Sequence, residues 1–216
     1  MNMTTCPALF TSNLPSCAEN QGGGDCIVER CGYARKILES IHLIGLGARI
    51  GLASHLTGLE MKTLKRIYRQ LMGRSSPSGQ LPFSDTWFLE NEQRLFHATL
   101  VWQLHRRLCR PDCSPARLLI DIFEVYTQLV QEPVLNLART SFAIQLFTTG
   151  LWSERQCSFC GMAFPAPADS KQTICPACQL YHRHRCSHCH APLVAQSRGR
   201  RRTACGHCGN SLTNSD

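Results

Sequence analysis

Two stretches near the C-terminus decide how this chain is read: CSFC at 157–160 with CPAC at 175–178, and CSHC at 186–189 with CGHC at 205–208. A Cys-x-x-Cys turn presents two thiolates to one ion, and two such turns complete a tetrahedral sulfur shell. The first two turns are 14 residues apart and the last two 15. Both gaps suit a short hairpin between knuckles, and two successive segments of nearly equal length amount to an internal repeat. The pattern predicts two zinc ribbons. Cys157, Cys160, Cys175 and Cys178 would hold one Zn2+, and Cys186, Cys189, Cys205 and Cys208 a second. A closed four-thiolate shell has no open position, so it argues for a structural ion rather than a catalytic one.

Spacing alone leaves alternatives open. An iron–sulfur cluster also takes four cysteines. The Cys175/Cys178 and Cys186/Cys189 pairs are only seven residues apart and could share one ion. His182, His184, His188, His190 or His207 could replace a thiolate. The remaining cysteines of the 14 (Cys6, Cys17, Cys26, Cys31, Cys109 and Cys113) form no such pair. The first four of these could make a further metal site, although free thiols are the plainer reading. MNMTTCPALF has neither a basic region nor an apolar core of about 7–15 residues, so it does not read as a secretory signal. The expected setting is cytoplasmic and reducing, where paired thiols bind metal rather than each other. No apolar run of about 18 residues predicts a membrane span.

Working outward, charge changes where the cysteines begin. The 216 residues carry 23 Lys and Arg against 15 acids, a net charge of +8. From Glu154 onward there are eight basic residues and three acidic ones, which sets a boundary near residues 151–156. Arg198, Arg200, Arg201 and Arg202 fall between the knuckles of the second ribbon, where a hairpin tip could reach phosphates or fork onto guanine. Residues 1–30 lack periodicity and read as a flexible tail.

Between the two lies a helical pattern, so the fold is mainly α, with about five or six helices over residues 31–152. Ile37, Leu38, Ile41 and Ile44 recur at helical spacing, as do Met61, Leu64, Tyr68 and Leu71. Arg94–Leu108 reads as a helix. Ser114-Pro115 is a start signal for a stripe of Leu118, Leu119, Ile122, Phe123, Tyr126 and Leu129. Pro133 opens a last helix and Gly150 closes it. Residues 50–72 resemble a helix-turn-helix, with Gly58 in the turn. Lys62, Lys65, Arg66 and Arg69 lie on the face opposite its apolar stripe and are the expected DNA contacts. The ribbons divide as 153–182 and 183–216.

Leu46-Gly-Ala-Arg49, Leu64-Lys-Arg-Ile-Tyr68, Gly79-Gln-Leu-Pro-Phe-Ser-Asp-Thr-Trp-Phe88 and Leu137-Ala-Arg139 resemble the flagellar transcriptional regulators of the FlhC family. The first two Cys pairs match that family's zinc knuckles. The resemblance covers about residues 33–180, and the second ribbon is additional to it. It implies a helical protein with one zinc, on Cys157, Cys160, Cys175 and Cys178, against the two that the pairs themselves predict. It also implies assembly with FlhD into a heterohexamer, binding to promoter DNA, and activation of flagellar operons with RNA polymerase. The alternative expectation is a zinc-dependent adaptor that docks on the transcription machinery. No enzyme is expected: Glu60, Asp85, Glu90 and Glu92 form no acid–base pair, and there is no phosphate-cradling Gly loop.

Overall fold

The computed structural model describes residues 28–183, 185–186, 188–193 and 204–211. Cys6, Cys17 and Cys26 of the expected tail, His184, and Arg198, Arg200, Arg201 and Arg202 lie outside the described residues. The described part is mainly α: α1 (Val28–Gly45), α2 (Ile50–Thr57), α3 (Met61–Met72), α4 (Thr86–Leu89), α5 (Glu92–Leu108), α6 (Pro115–Leu129) and α7 (Leu137–Thr148) precede a two-stranded sheet, β1 (Trp152–Gln156) and β2 (Ala163–Pro167), and α8 (Pro176–His182) follows it.

Local chemistry sets the helix ends. Asn91 caps α5 by accepting from the Gln93 and Arg94 N–H groups, and Ser114 caps α6 by accepting from Arg117 N at 3.0 Å. Pro115 fills the first turn, where no N–H is needed. Gly58 ends α2 at φ 69°, and its N–H donates to Ser54 O at 2.8 Å. That left-handed residue lets the chain turn sharply into α3.

The core falls into connected clusters. Ile44, Ala53, Leu59, Leu64 and Tyr68 join α1, α2 and α3. Phe88, Leu95, Val101, Ile122, Tyr126 and Leu146 join α4 to α7, and Trp152 belongs to the same cluster. Leu43, Leu119 and Ile120 lie between, with Phe123 and Ile144 packed against both sides.

The structure corrects several expectations. Seven helices precede the sheet, one of them the single turn α4. The last of the seven starts at Leu137 on an Asn136 cap rather than at Pro133. Residues 134 and 135 stay outside the helix, their N–H groups both donating to the Tyr126 hydroxyl. Met61, Leu71, Leu38 and Leu129 are exposed. On α3 the packed seam is only Leu64 and Tyr68 with Ile67 beside them, so both ends of that stripe overhang. The first ribbon's hairpin does not lie between its knuckles: β1 precedes the first knuckle and only β2 falls between the two. The strands flank the first knuckle, which forms the hairpin tip, and the second knuckle opens α8 instead.

The register pairs Trp152 with Pro167 and Glu154 with Pro165. The ladder bonds next to these, Cys157 N to Met162 O and Ala168 N to Leu151 O, fall on the other parity. Both prolines therefore sit where β1 asks for no donor.

Candidate metal centres and nucleic-acid interface

Cys157 ends the strand pair: its N–H donates to Met162 O at 3.0 Å, and Gly161, at φ 68°, turns the chain back. Cys175 caps α8 and accepts from Cys178 N, with Pro176 in the first turn. A hairpin tip and a helix start thus bring four sulfurs together, all within 4.8 Å of one another. The last two knuckles do the same for Cys186, Cys189, Cys205 and Cys208. The S···S distances are 3.7 Å for Cys160–Cys175, Cys186–Cys208 and Cys189–Cys205. A tetrahedral ion with bonds of about 2.3 Å would set neighbouring sulfurs about 3.8 Å apart. Both quartets therefore fit a zinc-sized ion. No His belongs to either set, and Cys175/Cys178 do not share a site with Cys186/Cys189, so both of those alternatives fall among the described residues.

Backbone donors surround the sulfurs. Cys175 N reaches Cys157 Sγ at 3.3 Å, and His188 N and His207 N reach Cys186 Sγ and Cys205 Sγ at 3.4 Å. Burial raises the Cys157 thiol, but N–H groups of Cys175, Cys160 and Phe159 outweigh it and bring its pKa down to about 6. N–H groups of Cys208 and His207 bring Cys205 down to about 6 as well. Burial and then the crowding sulfurs of Cys160, Cys175 and Cys157 push Cys178 well above the ordinary thiol range. Each quartet thus gives up one proton readily and resists giving up more. A divalent cation supplies the charge that allows four thiolates side by side.

The first quartet is fixed to the helices. The Trp152 ring lies 5.8 Å from both Phe88 and Phe147, and its Nε1–H donates to Asp85 Oδ2 at 2.9 Å. Gln103 donates to Ala163 O at 2.9 Å, and Arg106–Glu154 and Arg183–Glu92 pair at 3.2 Å. The second quartet follows through tilted ring contacts: Phe159 with His182 at 4.9 Å, and His182 with His190 at 5.3 Å.

Lys62, Lys65, Arg66 and Arg69 all lie exposed on α3 and form one continuous surface with Thr63 and Gln70. Among the described residues none of the four pairs with a carboxylate. The other expected contacts, Arg198 to Arg202, are beyond the described residues. Sequence reasoning did not assign a role to Asp85, Trp87 and Arg139, although they stand in the blocks that carry the family resemblance.

The sequence model described as "Flagellar transcriptional activator (FlhC)" matches residues 31–204. The chain belongs to the FlhC family. Its members are transcriptional regulators, not a family of enzymes. Flagellar transcriptional regulator FlhC of Paraburkholderia atlantica is 35% identical over 153 residues, 68% of this chain and 70% of that protein. FlhC of Sodalis glossinidius is 30% identical over 168 residues, 75% of this chain and 81% of its own length. The protein of the same name from Gallionella capsiferriformans is 26% identical over 183 residues, covering 95% of its length. The family match runs well past residue 180, so it takes in Cys186 and Cys189 and stops just short of Cys205 and Cys208. No helix among the described residues is long and apolar enough to cross a membrane.

Proposed function

We propose that this FlhC-family member is a DNA-binding activator of flagellar operons, working with an FlhD-type subunit and RNA polymerase. The observation that carries the DNA reading is the α2–Gly58–α3 unit. It holds four unpaired cations on one exposed helix face, backed by the buried seam of Leu64 and Tyr68. Such a face neutralises phosphates and positions the helix on the duplex, with an Arg left to read bases or groove shape. Cys157, Cys160, Cys175 and Cys178 would hold one zinc, and Cys186, Cys189, Cys205 and Cys208 the other. When bound, zinc supplies cross-linking and charge neutralisation, not a reaction. The first centre would join the hairpin tip to the start of α8, and the second would hold the chain on either side of the arginine-bearing segment 190–204.

A gel shift on promoter DNA, with and without the FlhD-type subunit, tests this reading. The expected result is a complex that weakens steeply as salt rises. A chain that shifts no DNA under either condition, or shifts it without salt dependence, would overturn it.

A further inference from the structure

Three segments distant in sequence close round one cleft of about 400 Å³: Arg49, the stretch Gln80–Trp87, and Ala138–Arg139. They are the same segments that carry the family resemblance. Within the Leu81–Phe88 block, the inner half has a packing role. Phe88 is fully buried, stacked on Phe142 and edge-on to Trp152. The outer half has none: Phe83 leaves 76% of its surface in solvent and Leu81 36%. The loop is nonetheless fitted to Arg49. Gly79, at φ 130°, has no Cβ, and one there would stand 2.9 Å from Arg49 Nη1. The same Nη1 donates to Gln80 O at 3.2 Å.

The charge of this cleft is one-sided. Arg94 and Arg139 lie 4.4 and 4.3 Å from the centroid of the Trp87 ring. Arg94 is balanced by Glu90 at 3.3 Å and by Trp87 O at 3.1 Å. Arg139 and Arg49, both half-buried, pair with no carboxylate among the described residues. Burial, and then Arg94, pull the Arg139 guanidinium below its ordinary pKa. A cation held partly out of water without a counter-charge costs free energy that an incoming anion returns.

We infer that this cleft docks an acidic segment of the partner subunit, with carboxylates forked onto Arg139 and Arg49 and an apolar neighbour seated on Phe83 and Leu81. Carboxylates match the planar fork of arginine. A DNA backbone fits less well, because the exposed Phe83 in the same lining offers nothing to phosphate. The inference rests on the hetero-oligomer reading above.

The test titrates the full, zinc-loaded chain with the FlhD-type subunit by calorimetry at low and high salt, beside gel shifts on promoter DNA. The double variant Arg49→Glu/Arg139→Glu should weaken subunit binding at least about tenfold. Phe83→Ala and Arg139→Lys should weaken it by smaller steps, with zinc content and melting temperature unchanged. If the double variant fails to fold, those two single variants carry the test alone. A wild-type chain that does not bind the subunit overturns the hetero-oligomer reading and this occupant with it. If the wild type binds and the variants bind equally well, the cleft inference alone falls. Variants that keep the subunit but lose DNA would make the occupant a nucleic-acid phosphate, and that result also overturns it.

Discussion

The Tyr126 hydroxyl serves three groups in the core. It accepts from Val134 N at 3.0 Å and Leu135 N at 3.1 Å, and lies 2.7 Å from His97 Nδ1. With two N–H groups already on its oxygen, the hydroxyl donates to His97, which assigns the Nε2–H tautomer to a neutral imidazole. Tyr126→Phe strands two backbone donors and the imidazole, and should cost roughly 1–3 kcal/mol in a urea melt. The pH dependence follows from the same site. Burial lowers the pKa of His97 and of His105. A base whose folded pKa is depressed binds its proton more readily when unfolded, so its contribution is complete above about pH 6.5 and is lost as pH falls below that. Melting temperature should therefore drop on going from neutral to mildly acidic buffer, and His97→Gln should make that drop smaller.

At the level of elements, α2 and α3 stand as a unit on one turn residue. Gly58→Ala imposes a left-handed Cβ and should cost about 1 kcal/mol, with DNA affinity reduced through the angle between the helices. Lys65→Ala and Arg66→Ala should leave the melt unchanged and each flatten the salt dependence of DNA binding by about one unit of slope. This unit was legible in the sequence because its signals are local: a glycine, two small residues and a four-residue basic spacing. The start of α7 was not, because the Tyr126 hydroxyl claims the N–H groups of Val134 and Leu135 and overrides the pull of Pro133. α8 was hidden by the Cys pair, although Cys175-Pro176 is itself a cap followed by a first-turn proline. The Cys pairs were legible from spacing, but which pairs share a site was decided only by where the fold places the sulfurs. The cleft of Arg49, Trp87 and Arg139 was not legible. Its residues come from three segments that only tertiary packing brings together.

At the scale of the whole molecule, the two Cys quartets differ in what holds them. The first is tied to α5 through Gln103 and Arg106 and to α4 and α7 through Trp152, whereas the second is reached through tilted ring contacts. Full loading should give two zinc ions per chain by mass spectrometry. Graded chelation should release one without changing far-UV dichroism or Trp152 fluorescence. Loss of the other should alter both. Replacing Cys186 and Cys208 with Ser should abolish only the early release. Acid should act in the same direction as a chelator. Protons return to Cys157 and Cys205 as pH falls through about 6, so zinc affinity falls with pH.

The register of Pro165 and Pro167 has one more effect. Positions that give nothing to β1 aim their backbone the opposite way, toward the outer rim of β2, and at both of them the amide hydrogen is missing. That rim is met by α5, where Gln103 brings a donor to Ala163 O and asks only for an acceptor. The ribbon therefore seats against the helical domain without leaving a strand N–H stranded in the join at either proline.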